Sequence, residues 1–305
     1  MRFYFNAVIK LLINDIFTGN IKPKQMVNSI CVIGAGTMGS GIAQAAAQSG
    51  FYTLLFDINT EVLEKAKLAI QKSLDYLVNK EKITAEEKEV IVKRIKFVTD
   101  TNDCLADIII EAIVEKVEAK VAIFNQLAEL NHSEVIFASN TSSLSISEIQ
   151  TRVQNPKRVV GMHFFNPAQV MKLVEVVKGD QTSDEAAQTV YDLCLQMKKT
   201  PVMCKDAPGF IVNRVARHYY LEAMKLVETG VAGFENVDEM LEGSGFKMGP
   251  FKLMDLIGND VNLAVSQSLY DACNQAERFK PSPLQIEKVA KGELGKKTKK
   301  GYYSY

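Results

Sequence analysis

The chain has 305 residues, 47% of them apolar and 24% charged, and its 36 basic residues balance its 36 acidic ones. That length suits a soluble protein of two domains, and the missing positive charge excludes the phosphate attraction on which nucleic-acid binders depend. Cys31, Cys104, Cys194, Cys204 and Cys273 are scattered without a C-x-x-C pair, so neither a disulfide framework nor a metal site is expected, and a reducing compartment fits.

Residues 1–26 precede the first strand. Phe5, Val8, Ile9, Leu12, Ile13, Ile16 and Phe17 fall at helical spacing, opposite Asn6, Lys10, Asn14 and Asp15. The segment reads either as an amphipathic docking or membrane-surface helix or as translated leader ahead of a start at Met26. Lys10 interrupts any membrane-spanning run, and neither a secretory cleavage site nor a transit-sequence composition is present.

The apolar run from Ser29 to Ile33 predicts a buried parallel strand. Gly34 to Gly39 then opens a helix running to about Ser49, stopped by Gly50. Tyr52 to Phe56 is the next strand, and a helix from Glu61 to about Asn79 follows. A charged segment continues to Lys96, ahead of a strand ending at Ile110. The order then continues with a helix from Val117 to Leu130, strands at Val135 to Ser139, Val159 to Phe164 and Leu173 to Val177, a helix at Asp184 to Met197, and a short strand near Val202. This alternation predicts an α/β fold with a doubly wound, mostly parallel Rossmann sheet over residues 27–206. Asp206-Ala207-Pro208-Gly209 is turn chemistry. After it only helical patterns remain, at Phe210 to Thr229, Val237 to Leu241, Val261 to Cys273 and Leu284 to Ala290, so residues 207–305 form an all-helical second domain.

Gly34-Ala35-Gly36-Thr37-Met38-Gly39 matches G-x-G-x-x-G between a strand and a helix. The first glycine permits the tight turn, the second lets backbone approach a pyrophosphate, and the third lets helix and strand pack closely. Asp57 ends the second strand, 21 residues past Gly36, where a carboxylate accepts hydrogen bonds from the adenosine ribose and repels a 2'-phosphate. The cofactor predicted is therefore NAD rather than NADP.

Glu115 and Lys120 follow the strand ending at Ile110. They read as neighbours of the nicotinamide ribose or as solvated charges at a helix start. The hydroxyls of Ser139-Asn140-Thr141-Ser142-Ser143 read as caps for the next helix or as substrate contacts. His132, His163 and His218 are the three histidines. His163, in Met162-His163-Phe164-Phe165-Asn166-Pro167, sits at a strand end beside Met171-Lys172-Leu173-Val174-Glu175, so that a carboxylate can hold one ring nitrogen and leave the other to move a proton. His132 and His218 read as hydrogen-bonded core histidines, and Phe164 and Phe165 as packing.

Taken together, Gly34 to Gln44, Ala138 to Leu144, His163 to Pro167, Met171 to Val176, Pro208 to Arg214, Met248-Gly249-Pro250-Phe251 and Gly295-Lys296-Lys297 resemble the short-chain (3S)-3-hydroxyacyl-CoA dehydrogenase family over residues 27–305, especially its bacterial 3-hydroxybutyryl-CoA branch. The resemblance implies His163 as catalytic base, Glu175 as its orienting partner, and Ser142 and Asn213 as contacts near the reacting carbon. It implies Glu115, Lys120, Asn166 and Lys297 on the nicotinamide side of the cofactor, and Ser73, Lys80 and Ser142 at the coenzyme A moiety. The implied reaction interconverts a short (3S)-3-hydroxyacyl-CoA, C4 in length, and its 3-oxoacyl-CoA. Homodimerisation through the helical domain, with Val231, Phe234 and Met240 at the contact, and a location in the cytoplasm, or the mitochondrial matrix of a eukaryote, are further implications. A dehydrogenase of a non-CoA hydroxy acid and a non-catalytic NAD-binding relative are the alternatives.

Overall fold

The computed structural model describes residues 27–305; the helix expected within residues 1–26 lies outside the described residues. Eight strands form one sheet: β1 (Ser29–Ile33), β2 (Tyr52–Phe56), β3 (Ile95–Val98), β4 (Ile108–Glu111), β5 (Ile136–Ser139), β6 (Val159–Phe164), β7 (Leu173–Lys178) and β8 (Thr200–Lys205). Their order is β3-β2-β1-β4-β5-β6-β7-β8. Every neighbouring pair is parallel except β6 and β7. The strand order reverses between β1 and β4, which opens a crevice beyond their carboxyl ends.

The sheet is two-sided, which explains its continuous apolar strands. Ile108, Ile109 and Ile110 of β4 are each 0% exposed, and burying each such side chain stabilises by roughly 1.5 to 3 kcal/mol. On one face pack α1 (Thr37–Gln48), α2 (Thr60–Asn79) and α3 (Ala85–Lys93), together with α6 (Asp184–Gln196). The other face is covered by α4 (Val117–Leu130) and α5 (Ile146–Gln150). After β8 come five helices: α7 (Val212–Glu228), α8 (Phe234–Gly243), α9 (Pro250–Ile257), α10 (Asn259–Ala272) and α11 (Pro283–Ala290). Tyr220, Met224, Phe251, Met254 and Tyr302 form a separate core there.

Several local expectations change. The charged segment after Asn79 holds α3, begun by a capping box in which Thr84 accepts from the Glu87 N–H and Glu87 from the Thr84 N–H, and then the edge strand β3. Pro250 at the first turn of α9 starts a helix that sequence reasoning did not separate. Ser145, not Ser142 or Ser143, caps α5 by accepting from the Glu148 N–H. Among the described residues, no helix is long and apolar enough to cross a membrane.

Candidate active site

The glycine turn after β1 has the geometry its spacing demands. Gly34 has φ of +96°, and a Cβ there would lie 2.8 Å from the Ala112 carbonyl oxygen. At Gly39 a Cβ would lie 1.7 Å from the Gly34 oxygen, so the third glycine sets how closely α1 meets the turn. At Gly36 a Cβ would meet nothing within 4 Å, which leaves open space over the backbone. The first turn of α1, with Thr37, Met38 and Gly39, carries neither a side-chain cap nor an acid, so its N–H groups and the helix dipole favour an anion. Asp57 Oδ2 accepts from the Ala35 N–H at 2.8 Å and Oδ1 from the Asn59 N–H at 2.9 Å. The carboxylate is half-buried beside the glycine turn. This arrangement fits a dinucleotide whose pyrophosphate lies on α1 and whose ribose meets Asp57.

Next to that crevice lies a buried ion-pair network. Lys120 is 0% exposed, and its ammonium donates to Glu111 Oε1 at 2.7 Å and Oε2 at 2.9 Å. It also lies 3.2 Å from Glu115 Oε2. The solvated-charge reading of Lys120 is therefore corrected: the helix start buries the ammonium between two carboxylates. Glu115 Oε1 accepts from Thr141 Oγ1 at 2.5 Å, the Ser142 N–H at 3.0 Å and Ser143 Oγ at 3.2 Å. Burial pushes the Glu115 carboxyl up, but Lys120, Thr141 and Ser142 outweigh it and hold the group below the ordinary carboxylate range. The loop so fixed carries Ser142, whose carbonyl accepts from Asn213 Nδ2 at 3.3 Å. Ser142 and Asn213, far apart in sequence, thus meet where the sheet faces the helical part.

The antiparallel register of β6 and β7 sets His163 opposite Glu175. His163 Nδ1 lies 2.7 Å from Glu175 Oε2, and both residues are buried. Glu175 Oε1 accepts from the N–H groups of Ile211 and Val212, each at 2.9 Å, at the start of α7. Burial raises the Glu175 carboxyl, yet the bonds from His163, Val212 and Ile211 hold it below its ordinary value. The carboxylate is therefore ionised at neutral pH, keeps the proton on Nδ1, and leaves Nε2 to exchange one with a ligand. Phe165 and Phe210 pack against the imidazole with centroids at 4.5 and 5.8 Å.

Other expected residues are placed less decisively. Asn166 is exposed and precedes Pro167 in the loop leaving β6. Ser73 Oγ accepts from Gln44 Nε2 at 3.0 Å, and Lys80 is exposed at the end of α2, its ammonium 5.9 Å from the centroid of the Tyr76 ring. Lys297 Nζ is paired with Asp260 at 2.5 and 2.6 Å. Three readings are corrected. His132 and His218 are exposed rather than core, and Phe234 is half-buried against Phe251, Tyr302 and Tyr303, whereas Val231 and Met240 are each 71% exposed. Sequence reasoning missed Glu111, although an acid closing an Ile-Ile-Ile run signals a buried partner. It also missed Asn140, whose Oδ1 accepts from the Phe164 N–H at 2.9 Å.

Two family models match the chain. The 3-hydroxyacyl-CoA dehydrogenase NAD binding domain covers residues 29–207, and the 3-hydroxyacyl-CoA dehydrogenase C-terminal domain covers residues 209–305. The chain is 48% identical over 92% of its length to a 3-hydroxyadipyl-CoA dehydrogenase of Escherichia coli, of which it spans 59%. It is 43% identical over 90% of its length to a probable 3-hydroxybutyryl-CoA dehydrogenase of Deinococcus radiodurans, of which it spans 99%. The crystal structure of (S)-3-hydroxybutyryl-CoA dehydrogenase from Ralstonia eutropha superposes with a TM-score of 0.88 at 40% identity, covering 92% of this chain and 99% of that one.

Proposed function

The chain belongs to the 3-hydroxyacyl-CoA dehydrogenase family, and from that premise we propose that it interconverts a short (3S)-3-hydroxyacyl-CoA and the 3-oxoacyl-CoA, with His163 as the acid-base residue. The observation that carries this reading is the 2.7 Å contact of His163 Nδ1 with Glu175, whose other oxygen is held by the start of α7.

In the oxidative direction, the neutral imidazole removes the C3 hydroxyl proton at Nε2, and Glu175 stabilises the positive charge the ring acquires. The bound nicotinamide supplies the hydride chemistry that no side chain offers. Ser142 and Asn213 orient the oxygen bonded to C3, and Phe165 and Phe210 keep water from the ring. In reduction, the imidazolium returns the proton to the forming alkoxide. Glu115 with Lys120 holds the Ser142 loop at the edge of the nicotinamide site, and Asp57 selects NAD. Asn166 and Lys297 line the nicotinamide side, Lys297 after exchanging its bond to Asp260.

Acetoacetyl-CoA with NADH is the test. Loss of NADH absorbance that depends on the thioester, with little turnover of free 3-oxo or 3-hydroxy acids, is the expected result; a preference for the free acids contradicts the acyl-CoA reading. Assembly is proposed as a homodimer through the helical part, where Val215, Val231 and Met240 are exposed.

A further inference from the structure

One buried cation takes no part in the proton transfer. Arg217 of α7 is 3% exposed, and an arginine is almost never enclosed to that degree without an acid beside it. Arg158, the other buried arginine among the described residues, meets Glu134 at 3.1 Å. The partners of Arg217 are neutral. Its Nη1 donates to the Asn262 carbonyl at 2.7 Å, to Asn262 Oδ1 at 3.3 Å and to Ser266 Oγ at 2.9 Å, and the guanidinium lies 4.9 Å from the centroid of the Tyr220 ring. Its Nε is enclosed and has no hydrogen-bond partner among the described residues. Burial pushes the group down to about 10, so it keeps its charge at neutral pH. A buried charge so placed costs stability until an anion meets it, and a planar fork with an unpaired N–H suits a carboxylate.

This cation lies close to the proposed site of reaction. Asn213 is four residues earlier on α7, so the two side chains share a face, about 6 Å apart along the helix axis. Helical side chains lean toward the N-terminus, which in α7 is the end where Asn213 meets the Ser142 carbonyl and where Glu175 is held. The facing wall is α10, on which Asn262, Ser266 and Leu269 fall at helical spacing on one side. Leu269 reaches the junction, since a Cβ on Gly209 would lie 2.6 Å from its side chain. The next residue, Phe210, packs on the His163 ring. Behind this wall Gln285 of α11 donates to Asn262 Oδ1 at 2.5 Å, which fixes the amide that Arg217 faces.

We infer that Arg217 receives a carboxylate at the far end of the acyl chain and so determines specificity for thioesters of 3-hydroxydicarboxylic acids. The inference rests on the acyl-CoA reading and adds the identity of the acyl tail. With C3 held at Ser142 and Asn213, a carboxyl carbon at C6 stands three carbon–carbon bonds further on, roughly 4 Å away, within the span that separates Asn213 from Arg217 on the helix. A methyl group in the same place would leave the guanidinium without an anion, and a site built around a buried polar group discriminates against the analogue that lacks the partner.

The experiment compares 3-oxohexanedioyl-CoA with 3-oxohexanoyl-CoA, thioesters of equal length that end in a carboxylate and a methyl group. Each is reduced with NADH by the full-length wild-type protein, by Arg217→Met and by Arg217→Lys. In the wild type, kcat/KM is expected to be roughly 10- to 100-fold higher for the diacid thioester, the range of a hydrogen bond to a charged group. In Arg217→Met that ratio falls toward unity, and Arg217→Lys, which keeps the charge but loses the fork, retains part of it. A residue that only supported the helical part would lower both rates together. An unaltered ratio in Arg217→Met, or in Arg217→Lys where the methionine variant does not fold, therefore overturns the assignment. A wild type that does not favour the diacid thioester overturns it whatever the variants do, and leaves the dehydrogenase reading in place. A wild type that reduces neither thioester overturns both.

Discussion

At the scale of single residues, the proposed chemistry depends on a tautomer. Glu175 accepts from two backbone N–H groups on one oxygen and faces His163 Nδ1 with the other. Glu175→Gln preserves volume and can still accept from Ile211 and Val212, but its amide then donates toward Nδ1 and drives the ring proton to Nε2. The expected outcome is a folded protein whose kcat falls roughly 10² to 10⁴-fold, with NADH affinity unchanged in a fluorescence titration. A kcat within twofold of wild type contradicts the tautomer argument. The same carboxylate gives a stability signature. Its folded pKa lies below that of an ordinary carboxylate, so its contribution is fully present above the ordinary value and is lost as pH falls through the lower folded one. Acid unfolding profiles of wild type and Glu175→Gln should therefore converge as pH falls through the carboxylate range; a stability difference unchanged by acid refutes this assignment.

At the scale of elements, what the sequence conveyed depended on whether the determinant was local. The glycine turn, β1 and the helix after it were legible because each glycine answers a local steric demand, and the strand-end pairing of His163 with Glu175 was legible from their two motifs. The partner contacts were not: Glu111 with Lys120 and Ser142 with Asn213 join elements whose approach is fixed only by sheet order and by how α7 docks. α3 was hidden by its charges, since it buries only Ile91, although the Thr84–Glu87 capping box was a readable signal. The turn itself is testable. Gly39→Ala places a methyl where 1.7 Å separates it from the Gly34 oxygen, so α1 must shift and NADH binding is expected to be lost, as read by fluorescence titration; unchanged NADH affinity contradicts close helix–turn packing. Lys199 is a second element-level device. Its buried ammonium donates to the carbonyls of Ala168 at 2.6 Å and Met171 at 2.8 Å, and burial pushes its pKa down. Lys199→Met leaves both carbonyls without that donor, and a stability loss of about 1 to 3 kcal/mol is expected in denaturant unfolding; no loss means that water replaces the ammonium.

At the scale of the whole molecule, the sheet and the helical part meet through a few polar anchors. Glu175 accepts from the start of α7 and Asn213 of α7 donates to the Ser142 carbonyl, while the last residue of the sheet part before the connection, Asp206, is fixed by Ser145 Oγ at 2.6 Å and the Ser147 N–H at 2.8 Å, from both of which it accepts. Between these anchors, Phe210 is buried with φ of +48°. An aromatic residue in that region carries a backbone cost of roughly 1 to 3 kcal/mol, which its surroundings must offset, and its ring packs against His163. The junction that joins the two parts thus also shapes the surroundings of the His163 ring. The proposed dimer, with exposed Val215, Val231 and Met240 at its contact, predicts a dimer mass in sedimentation velocity, and a monomer at micromolar concentration contradicts that assembly. The most direct test of the central claim is the steady-state rate of NADH oxidation by acetoacetyl-CoA in His163→Gln. The account predicts a folded protein that binds NADH as the wild type does and has lost roughly 10² to 10⁴-fold in kcat, whereas a variant with wild-type turnover would show that the proton moves through another group.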